Sequence, residues 1–131
     1  MTLKIVWGIS GSGDKMPETV AAMAAVRERL DVEITAAVSI AGVRVLRWYK
    51  LTETVEEIAK SVKLEKDANS PFITGPLQIG QWDCLLVAPA TANSVAKIVH
   101  GIEDTMLTNA VGQTAKSTTP IYIMPVDLRP G

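Results

Sequence analysis

The sequence contains one cysteine and one histidine, Cys84 and His100. A single cysteine excludes an internal disulfide and a thiol-rich metal site, and a single histidine excludes a zinc site built from several histidines. If the protein is an enzyme, we therefore expect a bound cofactor to supply the difficult chemistry. Cys84 lies within a predicted strand, where a small buried residue is a better interpretation than a nucleophile.

The charge balance and the short apolar runs argue against two further classes of protein. The formal net charge is -1, which offers no basic surface for a nucleic acid or an anionic membrane. No run approaches the ~18 apolar residues of a membrane span, so we expect none. Residues 1–7 enter a strand-like run without a basic and apolar leader, and we therefore predict a cytoplasmic protein.

The sequence does contain enough apolar material for a buried core. Apolar residues account for 47% of the chain and charged residues for 21%. A length of 131 residues is ordinary for one domain. We predict a single domain over residues 1–131.

Apolar periodicity predicts alternating strands and helices. An almost continuously apolar run such as Leu3–Ile9 is typical of a parallel strand covered on both faces. Helical spacing marks the segments between the strands, and Thr54 and Glu57 have the spacing of a capping box. The predicted strands are Leu3–Ile9, Val32–Val38, Phe72–Thr74, Asp83–Ala88 and Ile121–Met124, and the predicted helices are 15–30, Ala41–Tyr49, 54–67, 95–102 and 106–111. This order predicts an α/β fold, a Rossmann-like (flavodoxin-like) three-layer sandwich with a central parallel sheet.

Small and hydroxyl-bearing residues follow three of the predicted strands. In open parallel sheets, ligands bind beyond the carboxyl ends of the strands. Each segment also precedes a helix, whose unpaired N–H groups and partial positive charge favour a phosphate. One such turn alone is more often a plain connector, but three at one sheet edge indicate a ligand site. The segments are Ser10-Gly11-Ser12-Gly13, Ser39, and Thr91-Ala92-Asn93-Ser94.

The glycine pattern narrows the choice of phosphate ligand. Gly11 and Gly13 supply two glycines of G-x-G-x-x-G, but Met16 replaces the third and Ser39 stands where the ribose-binding acid is expected. The P-loop pattern fails too, because Asp14 replaces its lysine. A mononucleotide held by hydroxyls and backbone amides fits better, and flavin mononucleotide (FMN) is the redox-active candidate.

Asp14 also bears on where the phosphate lies. An ionised carboxylate repels a phosphate, unless it caps the helix and faces away. We therefore predict that the first segment contacts the flavin edge or the ribose. Ser39 and the Thr91–Ser94 segment are equal or better candidates for the phosphate.

Longer motifs resemble those of the homo-oligomeric flavin-containing cysteine decarboxylase superfamily. The segment Pro89–Ser94 resembles its Pro-Ala-Ser-Ala-Asn-Thr signature, and Gly101–Thr108 looks like its Gly-x-x-Asp-x-Leu-Leu-Thr segment. Gly8–Ser12 is similar to its first flavin loop. The resemblance covers nearly the whole chain in the right order. The decarboxylases' Pro-x-Met-Asn-x-x-Met-Trp substrate motif has no counterpart, which argues against decarboxylation of a cysteine.

Within that superfamily, three segments resemble the archaeoflavoprotein and dihydromethanopterin reductase branch. They are Trp7–Lys15, Arg47–Leu51 and Met124–Asp127. Members of that branch bind FMN and move electrons, and some reduce dihydromethanopterin. The resemblance implies an FMN-dependent oxidoreductase that passes a hydride to a dihydropterin, with NADPH or a small redox protein as electron donor. It also implies a homo-oligomer built from trimers. The alternatives are an FMN electron carrier without a small-molecule substrate, or a flavin-dependent decarboxylase or prenyltransferase.

The same resemblance implies roles for individual residues. Ser10, Gly11, Ser12 and Gly13 would contact the flavin, and Ser39 would bind the phosphate. The ribityl phosphate and the ring edge would be held, mostly through backbone amides, by Thr91, Ala92, Asn93 and Ser94. The same pocket would be lined by Asp104, Thr105 and Leu107.

Two residues are candidates for a proton donor to the pterin, His100 and Asp104. His100 has a second interpretation, because a histidine before a C-terminal glycine interacts favourably with the helix dipole. Arg44 and Arg47 are predicted near Ser39, either as solvated surface or to bind an anionic group. A solvated helix face is predicted for Glu53, Glu56, Glu57, Lys60, Lys63, Glu65 and Lys66.

Overall fold

The computed structural model describes residues 1–66 and 71–127, with positions 71 and 72 described by their backbone only. Strands and helices alternate along most of this length. The strands are β1 (Leu3–Ile9), β2 (Val32–Val38), β3 (Ser61–Leu64), β4 (Cys84–Ala90) and β5 (Ile121–Pro125). The helices are α1 (Met16–Arg29), α2 (Ile40–Trp48), α3 (Thr52–Ile58), α4 (Pro71–Gln78), α5 (Ala92–Val99) and α6 (Met106–Thr114).

These strands form one parallel sheet in the order β3-β2-β1-β4-β5. Alternate residues of β1 point to opposite faces: Trp7 and Ile9 pack in one buried cluster, and Val6 packs in the other. The first cluster includes Met16 and Met23 of α1, and the second includes residues of α4 and α6. The predicted three-layer α/β sandwich is therefore confirmed.

The chain changes direction across the sheet at β1. It runs outward from β1 through β2 to β3, then returns to the other side of β1 for β4 and β5. The carboxyl ends of β1 and β4 therefore border the switch point, where open α/β sheets form a crevice for ligands.

The prediction of the third strand is wrong. Phe72–Thr74 lies in helix α4, and the third strand is Ser61–Leu64 instead. Pro71 at the first position of α4 is compatible with a helix start. The true strand is only four residues long and lies at the sheet edge. Short, charged edge strands are common because they resist pairing with other chains. The charge of Lys63 is the reason why this strand was predicted as part of a solvated helix.

The long helix predicted over residues 54–67 is also wrong. Helix α3 ends at Ile58, after burying Val55 and Ile58 in the core. Its N-cap is Leu51, so Thr54 and Glu57 do not form a capping box there. Residue 67 lies outside the described part of the chain. The remaining predicted elements are present, with ends shifted by a few residues.

Over residues 1–66 and 71–127, the helices are all too short, or not apolar enough, to span a bilayer.

Candidate functional site

A cavity of about 600 Å³ opens at the carboxyl ends of β1 to β4. The first turns of three helices, α2, α5 and α6, contribute to its wall. It is lined by Ser10, Gly11, Ser39, Ile40, Ala41, Arg44, Glu65, Lys66, Thr91, Asn93, Ser94, Asp104, Thr105 and Leu107. A cavity of this size is within the usual range of small-molecule sites.

Ser10 connects the two loops that border the switch point. Its side chain is buried, and its hydroxyl donates a hydrogen bond to the carbonyl of Pro89. The same hydroxyl oxygen accepts from the backbone N–H of Thr91 at 3.1 Å. Ser10 lines the cavity, but both of these bonds are internal, so its hydroxyl fixes the loop after β1 against the start of α5.

The next residues of the first loop divide between the cavity and the protein interior. Gly11 lines the cavity. The Ser12 side chain is buried and donates to the carbonyl of Asp14 at 2.9 Å, which closes a local turn. Gly13 is exposed, and its carbonyl accepts a hydrogen bond from the Tyr49 hydroxyl at 2.9 Å. Neither Ser12 nor Gly13 is part of the described cavity wall.

The first turn of α2 approaches β1 very closely. Ser39 is its N-cap, and the Ser39 Oγ accepts from the N–H of Gly42 at 2.9 Å. A Cβ on Gly42 would lie 2.6 Å from the carbonyl oxygen of Ile9, and a Cβ on Gly11 would lie 2.3 Å from the Cβ of Ala41. Glycine at both positions therefore lets the start of α2 reach the cavity beside β1.

The start of α5 is capped in the same way. Thr91 Oγ1 accepts from the N–H of Ser94 at 3.1 Å, and the two hydroxyls are 2.9 Å apart. Asn93 and Ser94 line the cavity, whereas Ala92 is an exposed residue outside its described wall. The helix predicted to follow this segment is present, with Thr91 as its N-cap.

Helix α6 completes the wall through a capping box. Thr105 Oγ1 accepts from the N–H of Thr108 at 3.2 Å, and Thr108 Oγ1 accepts from the N–H of Thr105 at 3.0 Å. Asp104, just before it, receives two hydrogen bonds from Lys97 Nζ at 3.0 and 3.2 Å. Asp104 thus lies at the cavity with both carboxylate oxygens engaged by one ammonium group.

Glu65 is a cavity residue that the sequence analysis placed on a solvated helix face. Its two carboxylate oxygens accept hydrogen bonds from two helix starts, one from Ile40 N at 2.9 Å and one from Met106 N at 2.7 Å. Because the third strand was placed at the wrong segment, the residue that follows its carboxyl end was not recognised. Had Ser61–Leu64 been assigned as a strand, Glu65 would have been recognised as the residue at its carboxyl end.

The structure separates the two candidate proton donors. His100 is the exposed C-cap of α5, with Gly101 after it at a φ of 72°. It lies at the opposite end of α5 from Thr91 and is not part of the described cavity wall. Its predicted interaction with the helix dipole fits this position. Of the two arginines predicted near Ser39, Arg44 lines the cavity, whereas Arg47 is not part of its described wall.

The cavity offers hydrogen-bond donors, small side chains and charges of both signs. Three helix N-termini present backbone amides with partial positive charge, which suits an anionic group. Gly11 and Ala41 leave room for a ligand to approach the backbone, and the hydroxyls of Ser39 and Ser94 are further donors. The arrangement is suited to binding a phosphorylated, partly apolar molecule.

Comparison with known proteins agrees with this geometry. The family model described as Flavoprotein matches residues 1–127. The chain is 44% identical over 129 residues to an uncharacterized protein of Methanocaldococcus jannaschii, covering 98% of this chain and 69% of the relative. It is 37% identical over 139 residues to a dihydromethanopterin reductase (acceptor) of the same organism, covering 100% of this chain and 56% of the relative.

Solved structures of other proteins share the fold of this chain. DmrB of Burkholderia xenovorans, crystallised with FMN and described as a cubic protein cage for redox transfer, superposes with a TM-score of 0.82 at 29% identity. That match covers 98% of this chain and 68% of DmrB. A dodecameric FMN-dependent UbiX-like decarboxylase from Escherichia coli O157:H7 has a TM-score of 0.81 at 20% identity, covering 98% of this chain and 69% of the decarboxylase, and shows the shared fold.

Proposed function

The chain belongs to the Flavoprotein family, and on that premise we propose that it binds FMN in the cavity at the carboxyl ends of β1 to β4. The observation that carries this proposal is the convergence of three helix N-termini on one cavity of about 600 Å³. Cavities of 300–1,000 Å³ are typical of cofactor sites. Support also comes from DmrB, which is 29% identical and was crystallised with FMN.

The residues of the cavity suit the two chemically different ends of FMN. The capped starts of α2 and α5, at Ser39 and Thr91, present the amides and hydroxyls that bind a phosphate. Leu107 and Ala41 offer apolar surface to a flat ring. Because Ser10 fixes the loop after β1 against α5, this wall is held in place before a ligand arrives.

We further propose that the protein is an oxidoreductase that reduces dihydromethanopterin or a related dihydropterin. Bound FMN supplies the redox chemistry of such a reaction. Two relatives named dihydromethanopterin reductase (acceptor), at 37% and 33% identity, support this assignment. The chain spans little more than half the length of both relatives, 56% and 55%. The task of this chain's residues is to bind and orient two flat rings, and the proposed hydride transfer needs no side chain to act as a nucleophile.

Asp104 is the better placed of the two proton-donor candidates for a pterin. It lines the cavity, whereas His100 lies beyond its described wall. Lys97 Nζ donates to both carboxylate oxygens of Asp104, at 3.0 and 3.2 Å, and so fixes the orientation of that carboxylate. NADPH or a small redox protein as electron donor, a homo-oligomer built from trimers, and a cytoplasmic location belong to the same proposal.

The first experiment tests cofactor binding. Flavin-free protein is titrated with FMN, and the quenching of flavin fluorescence is followed to saturation. We expect one FMN per chain. Ser39→Ala should weaken binding, because it removes a hydroxyl from the cavity wall. A matched control is Ser117→Ala, because Ser117 lies in the turn between α6 and β5, where its described side-chain hydrogen bonds are to the backbone of Thr114 and Thr119. Protein that binds no FMN at millimolar concentration would refute the proposal.

The second experiment separates a reductase from an electron carrier. FMN-loaded protein is photoreduced without oxygen and mixed with dihydromethanopterin, and the visible absorbance of the oxidised flavin is followed. A reductase reoxidises in proportion to the tetrahydro product formed. A carrier stays reduced until a redox protein is added. Flavin that stays reduced with the pterin, and reoxidises only with the protein, would favour the carrier over the reductase.

A further inference from the structure

We propose that Glu65 competes with the phosphate of FMN for the N-terminus of α2, and so sets how strongly the protein prefers FMN over riboflavin. This inference rests on the proposed binding of FMN. It concerns a residue outside every motif that the sequence analysis identified. Its consequence is that a phosphate gains the Ile40 amide of α2 only when the Glu65 carboxylate withdraws.

The carboxylate of Glu65 already occupies the position that an anion would take. One oxygen is 2.9 Å from the N–H of Ile40, the first residue of α2. The other is 2.7 Å from the N–H of Met106, the first residue of α6. A carboxylate that accepts from two helix N-termini has the same partners as a bound phosphate, because both are oxygen anions stabilised by backbone amides.

Three of the first four N–H groups of α2 already donate hydrogen bonds within the protein. The N–H groups of Gly42 and Val43 donate to the side chain and the carbonyl of Ser39, and that of Ile40 donates to Glu65. An incoming phosphate can therefore gain the Ile40 amide only by replacing the carboxylate. Two anions at one helix start also repel each other, and burial in a cavity weakens the screening of that repulsion by salt.

The position of Glu65 makes such a withdrawal possible. Its backbone is anchored, because its N–H donates to the carbonyl of Val38 at 3.0 Å. Its side chain is only partly buried, and Glu65 and the exposed Lys66 directly follow β3, the edge strand of the sheet. A change of side-chain rotamer can therefore move the carboxylate out of the cavity without moving β3.

The substitution Glu65→Gln tests the proposal. Glutamine keeps the size of the side chain and one oxygen acceptor, but it removes the charge. Dissociation constants for FMN and for riboflavin are measured by fluorescence quenching on flavin-free protein. Because riboflavin lacks the phosphate, we expect its affinity to change by less than about twofold, while FMN binds at least about tenfold more tightly. The control Glu57→Gln removes the same charge from the exposed surface of α3 and should change neither.

The remaining outcomes contradict either the competition or the proposed function. An equal change for FMN and riboflavin, an unchanged ratio, or weaker FMN binding in Glu65→Gln would overturn the competition. Glu65→Ala, checked for folding by circular dichroism, must shift the FMN to riboflavin ratio in the same direction as Glu65→Gln. If the wild type and all variants bind neither flavin, the proposed function itself is wrong and this inference is wrong with it.

Discussion

The tight contact in the cavity wall between Gly11 and the first turn of α2 gives a sharp prediction. A Cβ at position 11 would lie 2.3 Å from the Cβ of Ala41 and 2.8 Å from its carbonyl carbon. Non-bonded carbons are normally about 3.5–4.0 Å apart, so Gly11→Ala must push the two segments apart by ~1.2 Å or more. Neither contact atom is the end of a flexible side chain, so α2 or the loop has to move.

The cost follows from overpacking a tight contact, typically about 1–3 kcal/mol. The matched control is Gly13→Ala in the same loop, because no described atom lies within 4 Å of a Cβ at that position. We expect urea unfolding of the flavin-free protein to show Gly11→Ala less stable than Gly13→Ala by about 1–3 kcal/mol.

The same displacement moves the start of α2, where we place the FMN phosphate. Losing one hydrogen bond to an ionised group costs about 1.5–3 kcal/mol, which corresponds to a loss of FMN affinity of at least about tenfold. Gly13→Ala should bind FMN as the wild type does. If the two variants unfold at the same urea concentration and bind FMN equally well, the close approach of Gly11 to α2 does not shape the site.

Three further predictions concern stability and thiol chemistry. Ser10→Ala leaves the partly buried N–H of Thr91 without its acceptor, so urea unfolding should show a loss of about 1–3 kcal/mol, and a loss below ~0.5 kcal/mol would contradict the connecting role. Thr105→Ala removes the cap of α6 and should cost about 1 kcal/mol in the same assay, whereas Thr105→Ser should retain most of that stability. Burial, and secondarily the charge of Asp83, raises the pKa of the Cys84 thiol above its ordinary 9.0. The thiolate should therefore form only at higher pH than in the unfolded chain, so alkylation of native protein by iodoacetamide should be slow at pH 8. The contribution of this thiol to the free energy of unfolding should be lost as the pH rises above 9.0. Alkylation of Cys84 at equal rates in native and urea-unfolded protein would contradict this.

Local sequence was sufficient where an element's own residues decide its structure. The run Leu3–Ile9 is apolar on both faces, and only a central strand buries both faces. Ser39 and Thr91 have the side chains that cap a helix, and each one does so. Because strand ends in a parallel sheet meet at one edge, the predicted grouping of residues at the cavity followed from the element order.

Local sequence failed where the surroundings decide. Ser61–Leu64 forms a strand because β2 provides a hydrogen-bonding edge beside it, and its own residues contain too few apolar positions to indicate that. Phe72–Thr74 was predicted as a strand, but it lies in a helix that packs on the other face of the sheet. Because this strand was misplaced, Glu65 was not recognised as a residue at the carboxyl edge of the sheet.

The sequence by itself determined the alternation of strands and helices, the parallel sheet, and the edge at which the cavity opens, because periodicity and capping act over neighbouring residues. Only the tertiary structure decided which polar groups at that edge face the cavity. The hydroxyls of Ser10 and Ser12 donate to backbone carbonyls inside the protein, and His100 lies at the far end of α5. Glu65 accepts hydrogen bonds from the first residues of two helices, which are 25 and 41 positions away in the chain. Such contacts depend on how separate elements pack, and no local pattern records them.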